Sequence, residues 1–563
     1  SWTLWVQGYS ISGGDDSING GIGYKSEDGD IAYCYDYDSH GPWPEGATYT
    51  HMKRGNTVTD YLVAKGYPNT NKIAGKTWSD GKAQSITQAA AWIASGTVSS
   101  SSLGGGEAME AARKLVAEAE AYKGGDPSID GCSSIIFVDG KREVQAMLLG
   151  NLFGHISLEK LSSIKATTDG NGAYDLSKAR YGIFTDKACT DSYRGYHLTT
   201  DAEHNANLDL VPGTYYVKET TAPPGFATDG TVYKVKVKSG QTTKVDGSGK
   251  VYDTPQSNAL GLILEKVDAD TGESAPQGDG SLEGAQFRVD YFDNTAGNTS
   301  GDATRSWTFK TDGKGRIELG DKASGYYVSG DNLYKNSSGK YCFPLGTYKF
   351  TEVKAPEGYN LSDETPVMTV KGSGDKEQTG SYAKVGNTKT KDGVPAAGDD
   401  VIRGGVSISK QDAQTGNAEQ GDATFEGTVF EITNLSDGPV KVDGELYGKD
   451  EAVKRITTAW DDEAGMAVAS TSADCLPYGT YRIDEVEAPV GYLNTGTISR
   501  TFEIREDGKV VDLTSSEPIV NDVVRGGVMV EKDDLELGKS EAIGGKDHSS
   551  ATGANLNGIE FTI

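Results

Sequence analysis

The hydrophobic rhythm of this chain changes once. Before about residue 154, apolar positions recur at helical spacing in three places. The first is a short segment, 56–65, ended by Gly66. The second begins at Ser85 (SITQAAAWIASG) and stops at Gly96, and the third is Ala-rich, 107–123, with Glu early, Lys last and Gly124 beyond. The tract 97–106 (TVSSSSLGGG) reads as a loop by composition. From about residue 155 the helical period disappears, and short runs alternate apolar with polar residues between Gly, Asp and Asn, the pattern of antiparallel sandwiches. The expected fold is mainly β: a mixed α+β domain over 1–154, then tandem antiparallel β-sandwiches strung into an elongated rod.

Within the β region one module recurs. The signature GTY-x-x-x-E followed by AP-x-G-aromatic occurs as Gly213-Thr214-Tyr215 with Glu219 and Ala222-Pro223-Pro224-Gly225-Phe226. It returns as Gly346-Thr347-Tyr348 with Glu352 and Ala355-Pro356-Glu357-Gly358-Tyr359, and again as Gly479-Thr480-Tyr481 with Glu485 and Ala488-Pro489-Val490-Gly491-Tyr492. Upstream, Lys160, Lys266 and Lys410 end strand-like runs (ISLEK, LILEK, VSISK), and downstream stand Asp253, Asn387 and Asn521. Between them lie strands of the type ARYGIF (179–184), GAQFRV (284–289) and GTVFEI (427–432). The modules are expected over 155–258, 259–394 and 402–524. A fourth begins at 525–563, because VIRGGVSISKQD (401–412) is echoed by VVRGGVMVEKDD (523–534), and NGIEFTI (557–563) matches the second strand. Lys532 is its expected bridging lysine.

Composition narrows the class. Glycine is 74 of 563 residues, well above the usual share of about 7%, which suits a loop-rich extracellular rod. A net charge of −28 argues against nucleic acid and anionic membrane as partners. No apolar run approaches the roughly 18 residues that would span a bilayer, and no signal peptide opens the chain, as after removal of a leader. Five cysteines, Cys34, Cys132, Cys189, Cys342 and Cys475, form neither a disulfide framework nor a CxxC site. Cys342 and Cys475 each precede a GTY by four residues and are expected in the core; Cys132 and Cys189 are left open as a pair. The six histidines are scattered, Asp268 and Asp270 in VDADTG lack the spacing of a calcium loop, and no hydrolytic constellation is present. No metal, cofactor or enzyme activity is therefore expected.

One lysine, one glutamate and one Asn or Asp per module form a minimal set for self-condensation. Burial lowers a lysine pKa and raises that of a carboxylic acid, a protonated Glu can polarise the carbonyl and shuttle protons, and fixed neighbours react at very high effective molarity. These residues resemble the Cna B-type domain of Gram-positive surface adhesins and SpaA-like pilins over about 155–524. The resemblance implies tandem immunoglobulin-like Cna B-type sandwiches with autocatalytic isopeptide bonds Lys160–Asp253, Lys266–Asn387 and Lys410–Asn521, and with Glu219, Glu352 and Glu485 as the catalytic acids. Asn258 is a second candidate partner for Lys160.

In the first domain the informative pair is Cys34, in Ala32-Tyr33-Cys34-Tyr35, and Gln88, in Thr87-Gln88-Ala89-Ala90-Ala91-Trp92. Two readings stand side by side. Ser85-x-x-Gln88 has the spacing of a capping box, and Cys34 that of a buried thiol. The two segments also resemble the Cys-Tyr and TQ-x-A-x-W signatures of bacterial thioester domains over roughly 1–150, although Ala91 stands where a larger aliphatic residue is usual. That resemblance implies an internal Cys34–Gln88 thioester, a stored electrophile that acylates an amine on a target. The implied function is a cell-wall-anchored or pilus-associated adhesin, at a tip or monomeric, that attaches to a lysine or other amine of a host-surface or matrix protein. The alternative is a structural pilus subunit or a non-covalent adhesin. A shaft pilin would carry a YPK-like motif where this chain has Tyr67-Pro68-Asn69, and Leu476-Pro477-Tyr478-Gly479-Thr480 is a turn rather than a sorting signal. A sorting signal, and with it a role as sortase substrate, would lie beyond residue 563.

Overall fold

The structure, a computed structural model, describes residues 4–538 apart from 20, 28, 38–40, 43–44, 127–128, 130–131, 139–145, 153, 211–212, 239–240, 321–322, 380–381, 494–497 and 536, together with 556 and 558–563. The N-terminal domain contains β1 (Leu4–Ser10), β2 (Ile22–Ser26), β3 (Ile31–Cys34), β4 (Ala47–Tyr49), β5 (His51–Arg54), α1 (Thr57–Lys65), α2 (Asp80–Ser95), α3 (Glu107–Ala121), β6 (Cys132–Val138) and β7 (Met147–Leu152). Its sheet runs β4-β1-β2-β3-β7-β6-β5. Asn56 caps α1 as a full capping box with Thr59, satisfying two of the amides that a helix start leaves open. The second helix begins five residues before the expected Ser85. Ser79 is its N-cap and Ser85 is interior, so the capping-box reading of Ser85 and Gln88 does not hold. Almost the whole of α2 from Ala83 to Trp92 is buried, which explains its Ala-rich, nearly uncharged sequence.

Each module is a two-sheet sandwich. In the first, the lysine strand Gly154–Ser162 lies between Asn205–Leu210 and the closing strand Lys250–Pro255. The facing sheet runs Ser192–Thr199, Arg180–Phe184, Gly213–Thr221 and Val232–Val237. The second module repeats this with Leu262–Asp268 beside Val394–Asp399, facing Gln286–Phe292 and Gly346–Lys354. The third does so with Arg403–Asp412 beside Ile519–Asn521, facing Val429–Asn434 and Gly479–Glu487. The second module therefore closes on Val394–Asp399, past the expected boundary at 394. Asn258 belongs to Ser257–Ala259, which pairs with Tyr341–Pro344 and Glu377–Thr379.

The recurring signatures have physical roles. Tyr215, Tyr348 and Tyr481 are fully buried, and the last two donate to the carbonyls of Pro344 and Pro477 at 2.7 and 2.8 Å. In AP-x-G-aromatic, the aromatic N–H donates to the Pro carbonyl three residues back, and Gly225, Gly358 and Gly491 have φ of 88°, 85° and 83°. Such a turn favours glycine. Its aromatic covers the loop after the lysine strand: Tyr359 donates to Asp268 Oδ2 at 2.9 Å, and Phe226 packs edge-on against Tyr174.

Joints between modules reuse that loop. Gly278 N–H donates to Pro439 O, Lys441 N–H to Gln277 Oε1 at 2.8 Å, and Asp279 Oδ2 accepts from Thr480 Oγ1 at 2.6 Å and Arg505 Nη2 at 3.0 Å. At the preceding joint, Asn171 Nδ2 donates to the Tyr291 hydroxyl at 2.9 Å and Gly172 N–H to Asp293 Oδ2 at 2.9 Å. Gly358 sits where turn and joint meet, since an added Cβ would lie 2.8 Å from Tyr478 Cδ1 and 3.0 Å from Gly280 Cα. Gly358→Ala is accordingly expected to cost about 1–2 kcal/mol from the left-handed backbone alone, read as a lower midpoint for the second module in urea unfolding. An unchanged midpoint would show that the turn tolerates a side chain.

Candidate functional site

Register, more than sequence spacing, assembles the cross-link candidates. The lysine strand and closing strand run parallel in every module. Lys160 is opposite Val251 and Ser162 opposite Asp253; Lys266 is opposite Ala397 and Asp268 opposite Asp399; Lys410 is opposite Ile519 and Asp412 opposite Asn521. Each lysine thus reaches the residue two beyond its partner, on the same sheet face. The glutamates are equally regular. Glu219, Glu352 and Glu485 stand opposite Tyr181, Phe287 and Phe430, and a bulge interrupts each ladder one residue earlier. Bulges re-aim side chains; here the glutamate turns inward beside the lysine.

The resulting triads are dry. Lys160, Lys266 and Lys410 are fully buried. Lys160 Nζ lies 2.9 Å from Glu219 Oε1 and 2.5 Å from Asp253 Oδ1. Lys266 Nζ makes ion-pair contact with Asp399 Oδ1 and lies 3.5 Å from Glu352 Oε1. Lys410 Nζ lies 2.6 Å from Glu485 Oε2 and donates to Asn521 Oδ1, while Asn521 Nδ2 donates to Glu485 Oε1 at 3.1 Å. Asn387 is not the residue beside Lys266. It is exposed in the turn before Thr390–Lys391, and the register delivers Asp399 instead. Asn258 likewise does not face Lys160; Asp253 occupies that place.

Burial sets the protonation. It pushes Asp253 up to about 7 and Glu352 up to about 8 against the opposing pull of Lys160 and Lys266, and it also raises Asp399. Lys410 is lowered by desolvation, which favours the neutral amine that can attack a carbonyl. Asp253 Oδ2 and Glu352 Oε1 are buried without a hydrogen-bond partner, a costly state that conversion of charged groups to a neutral amide would relieve. The second carboxylate oxygen is anchored in two modules, by Asp229 N–H on Glu219 at 2.7 Å and Ser362 N–H on Glu352 at 3.0 Å.

In the N-terminal domain, α2 lays Gln88 across the end of β3. Cys34 N–H donates to Gln88 Oε1 at 2.9 Å, and Gln88 Nε2 donates to the Cys34 carbonyl at 2.7 Å. Both residues are buried, at 1% and 3% exposure. This clamp holds the carboxamide carbon against the residue that bears the thiol, and the Cys34 N–H polarises its carbonyl as an oxyanion donor would. Burial pushes the Cys34 thiol up to about 12, opposed by its contact with the Tyr24 hydroxyl. Trp92, one turn after Gln88, packs edge-on against Tyr37 with ring centroids 5.2 Å apart. Tyr24 and Tyr181 have no motif that marks them in sequence; only strand register shows what they face. Cys189, Cys342 and Cys475 are free thiols, with Cys342 buried as expected and Cys475 half-buried. The side chain of Cys132 lies outside the described residues. Lys532 is exposed, and no cluster able to hold a metal occurs among the described residues.

Family models match this architecture. The SpaA prealbumin-like fold domain matches three times, over 161–250, 261–384 and 404–517, together more than half of the chain, and the thioester domain matches over 31–121. Among solved structures, the Bacillus anthracis TIE protein is similar at 18% identity, covering 92% of this chain and 100% of its own, with a TM-score of 0.39. The N-terminal thioester domain of a Clostridium perfringens surface protein aligns at 17% identity over 26% of this chain and 97% of its own, with a TM-score of 0.20. BcpA, the major pilin subunit of Bacillus cereus, aligns at 14% over 66% and 99%, with a TM-score of 0.24. A comparison with curated protein sequences finds no match.

Condensation in these triads would leave a mass signature: one water lost at Asp253 and one at Asp399, and one ammonia lost at Asn521. Asp399→Ala is expected to retain the water of the second module, and Asn387→Ala to change nothing; the reverse result in peptide mass spectra would reinstate Asn387. A second expectation concerns pH. Burial raises Glu352 to about 8, so if it acts as the protonated, polarising acid, cross-linking of the second module should slow as pH rises through about 8. Chains refolded from inclusion bodies between pH 6 and 10 and sampled with time would check it.

Proposed function

The chain belongs to the SpaA prealbumin-like family with a thioester domain at its head, and from that premise we propose that it is a Gram-positive surface adhesin whose head acylates an amine of a host-surface or matrix protein. Its stalk is stiffened by isopeptide bonds Lys160–Asp253, Lys266–Asp399 and Lys410–Asn521. The observation that carries the head reading is the two-point clamp of the Gln88 carboxamide on the Cys34 backbone. Those two bonds bring the Gln88 carboxamide to the residue whose thiol would attack it.

Thioester formation joins Cys34 Sγ to Gln88 Cδ and expels the amide nitrogen as ammonia. In the second step a target amine attacks the same carbon, the C–S bond breaks, and Cys34 recovers its proton as a thiol. Burial of both residues shields the thioester from bulk water until a partner docks. In the stalk, each cross-link would close a loop on the order of 100 residues, worth about 4.7 kcal/mol in the chain-entropy treatment of such bridges. The strong acidity, −28 overall, suits a partner surface that presents lysine. Attachment to the cell wall belongs to the same reading.

Incubation of freshly purified protein with methylamine is expected to place one amine on Gln88 and to free one titratable thiol at Cys34. The Cys34→Ala chain should keep the ammonia that wild type loses and take up no amine. A wild-type mass that retains this ammonia, with Cys34 titrating from the outset, would sink the covalent head. Host-surface adhesion by Cys34→Ala equal to wild type would leave a non-covalent adhesin in its place.

A further inference from the structure

A neutral lysine amine has two N–H bonds and one lone pair. For the lone pair to face a carbonyl carbon, both N–H bonds need acceptors elsewhere. In the first module Lys160 Nζ contacts three groups: Asp253 Oδ1 at 2.5 Å, Glu219 Oε1 at 2.9 Å and the Tyr181 hydroxyl. With Asp253 as the electrophile, Glu219 and Tyr181 are the two acceptors. Tyr181 is fully buried on the facing sheet, directly opposite Glu219 across the ladder, with its ring centroid 4.9 Å from Nζ. The corresponding rings of the other modules, Phe287 and Phe430, lack the hydroxyl and lie farther off, 5.8 and 6.0 Å from their lysines. In the second module the carbonyl of Ala397 accepts from Lys266 Nζ at 3.4 Å instead.

We infer that Tyr181 is a positioning residue for the Lys160–Asp253 condensation, its hydroxyl oxygen accepting one amine N–H so that the lone pair points at Asp253 Cγ. The inference rests on the isopeptide reading above. In the step, Nζ forms a bond to Cγ and one Cγ–O bond breaks. Glu219 takes a proton from Nζ and returns one to the departing oxygen, and water leaves. Tyr181 neither gains nor loses a proton. Burial, with Glu219 and Asp253 beside it, raises the phenol far above its ordinary value and keeps it neutral throughout.

The other two modules serve as internal clocks for the test. Tyr181→Phe installs the ring that modules two and three already use, so the sandwich has a precedent for it. Chains recovered unreacted from inclusion bodies are refolded, and the three cross-linked peptides are quantified against time by mass spectrometry, with folding followed by fluorescence in the same samples. The expected result is slowing of the Lys160–Asp253 bond on the order of tenfold. The Lys266–Asp399 and Lys410–Asn521 bonds and the folding rate should be unchanged. Equal rates for the first module in wild type and Tyr181→Phe would overturn the role of Tyr181 while leaving the isopeptide reading intact. Parallel slowing of all three bonds would also overturn it, by assigning the effect to folding. Absence of the Lys160–Asp253 peptide from wild type would remove the isopeptide reading of this module, and this inference with it.

Discussion

Holding an amine and its carboxyl partners out of water is the constraint around which each module is organised. Isolated ionised groups in an apolar interior are very costly, and a buried pair recovers that cost only with excellent geometry. The geometry here comes from two features of the fold. A parallel pairing of the first and last strands places the lysine two residues from its partner's opposite number, and a bulge aims the glutamate of the GTY strand at both. The raised carboxyl pKa values at Asp253 and Glu352 show the direction in which the site relieves its charge. Proton transfer goes part of the way, and condensation to an amide would finish it.

The rest of the module follows from keeping that site dry. The buried tyrosine of GTY fills the sandwich two turns of the strand alternation away from the glutamate, and in the second and third modules its hydroxyl is satisfied by a proline carbonyl. The AP-x-G-aromatic turn then folds an aromatic over the loop that follows the lysine strand, where Asp268 and Gln277 hold each other at 3.0–3.1 Å and Asp412 and Gln420 at 2.9 Å. The same loop makes the joint to the next module. One short segment therefore seals a site and sets the angle of the following sandwich.

Much of this was legible in sequence, because three copies of a pattern constrain one another. The structure brings the three lysines, the three glutamates, Asp253 and Asn521 together within their modules, and helix gives way to strand near residue 155. Asn387 does not join them, for a definite reason. Partner choice depends on strand register, and register is invisible to a search for the next Asn or Asp downstream. A better signal was present: Asp399-Asp400-Val401-Ile402-Arg403-Gly404-Gly405 and Asn521-Asp522-Val523-Val524-Arg525-Gly526-Gly527 align residue for residue, with Asp399 in the place of Asn521. The start of α2 was misplaced because Ser85 with Gln88 imitates a cap. The helix begins at Asp80 on extended Ser79, and it is the buried interior of the helix, rather than its end, that carries Gln88 to Cys34. Tyr181 was hidden because an aromatic core position accepts Phe or Tyr equally well by hydrophobic pattern.

The placement of the triads bears on how such a stalk would carry load. Tension enters a module at the start of its lysine strand and leaves from its closing strand, and these are the two strands that lie parallel and adjacent. Without a covalent link, pulling shears that pair along its hydrogen bonds, each worth only about 0.5–1.5 kcal/mol net. With the bonds formed, force passes along Gly154 to Lys160, crosses to Asp253 and departs, so the chain between them lies outside the load path. What remains under load is the joint, where Arg403 holds Asp270 at 2.8 Å and Arg505 holds Asp279 at 3.0 Å. A rod of this design would therefore bend and recover at its joints while its modules stay folded, and a head bonded covalently to its target would gain from that, because its hold would then not depend on an equilibrium contact.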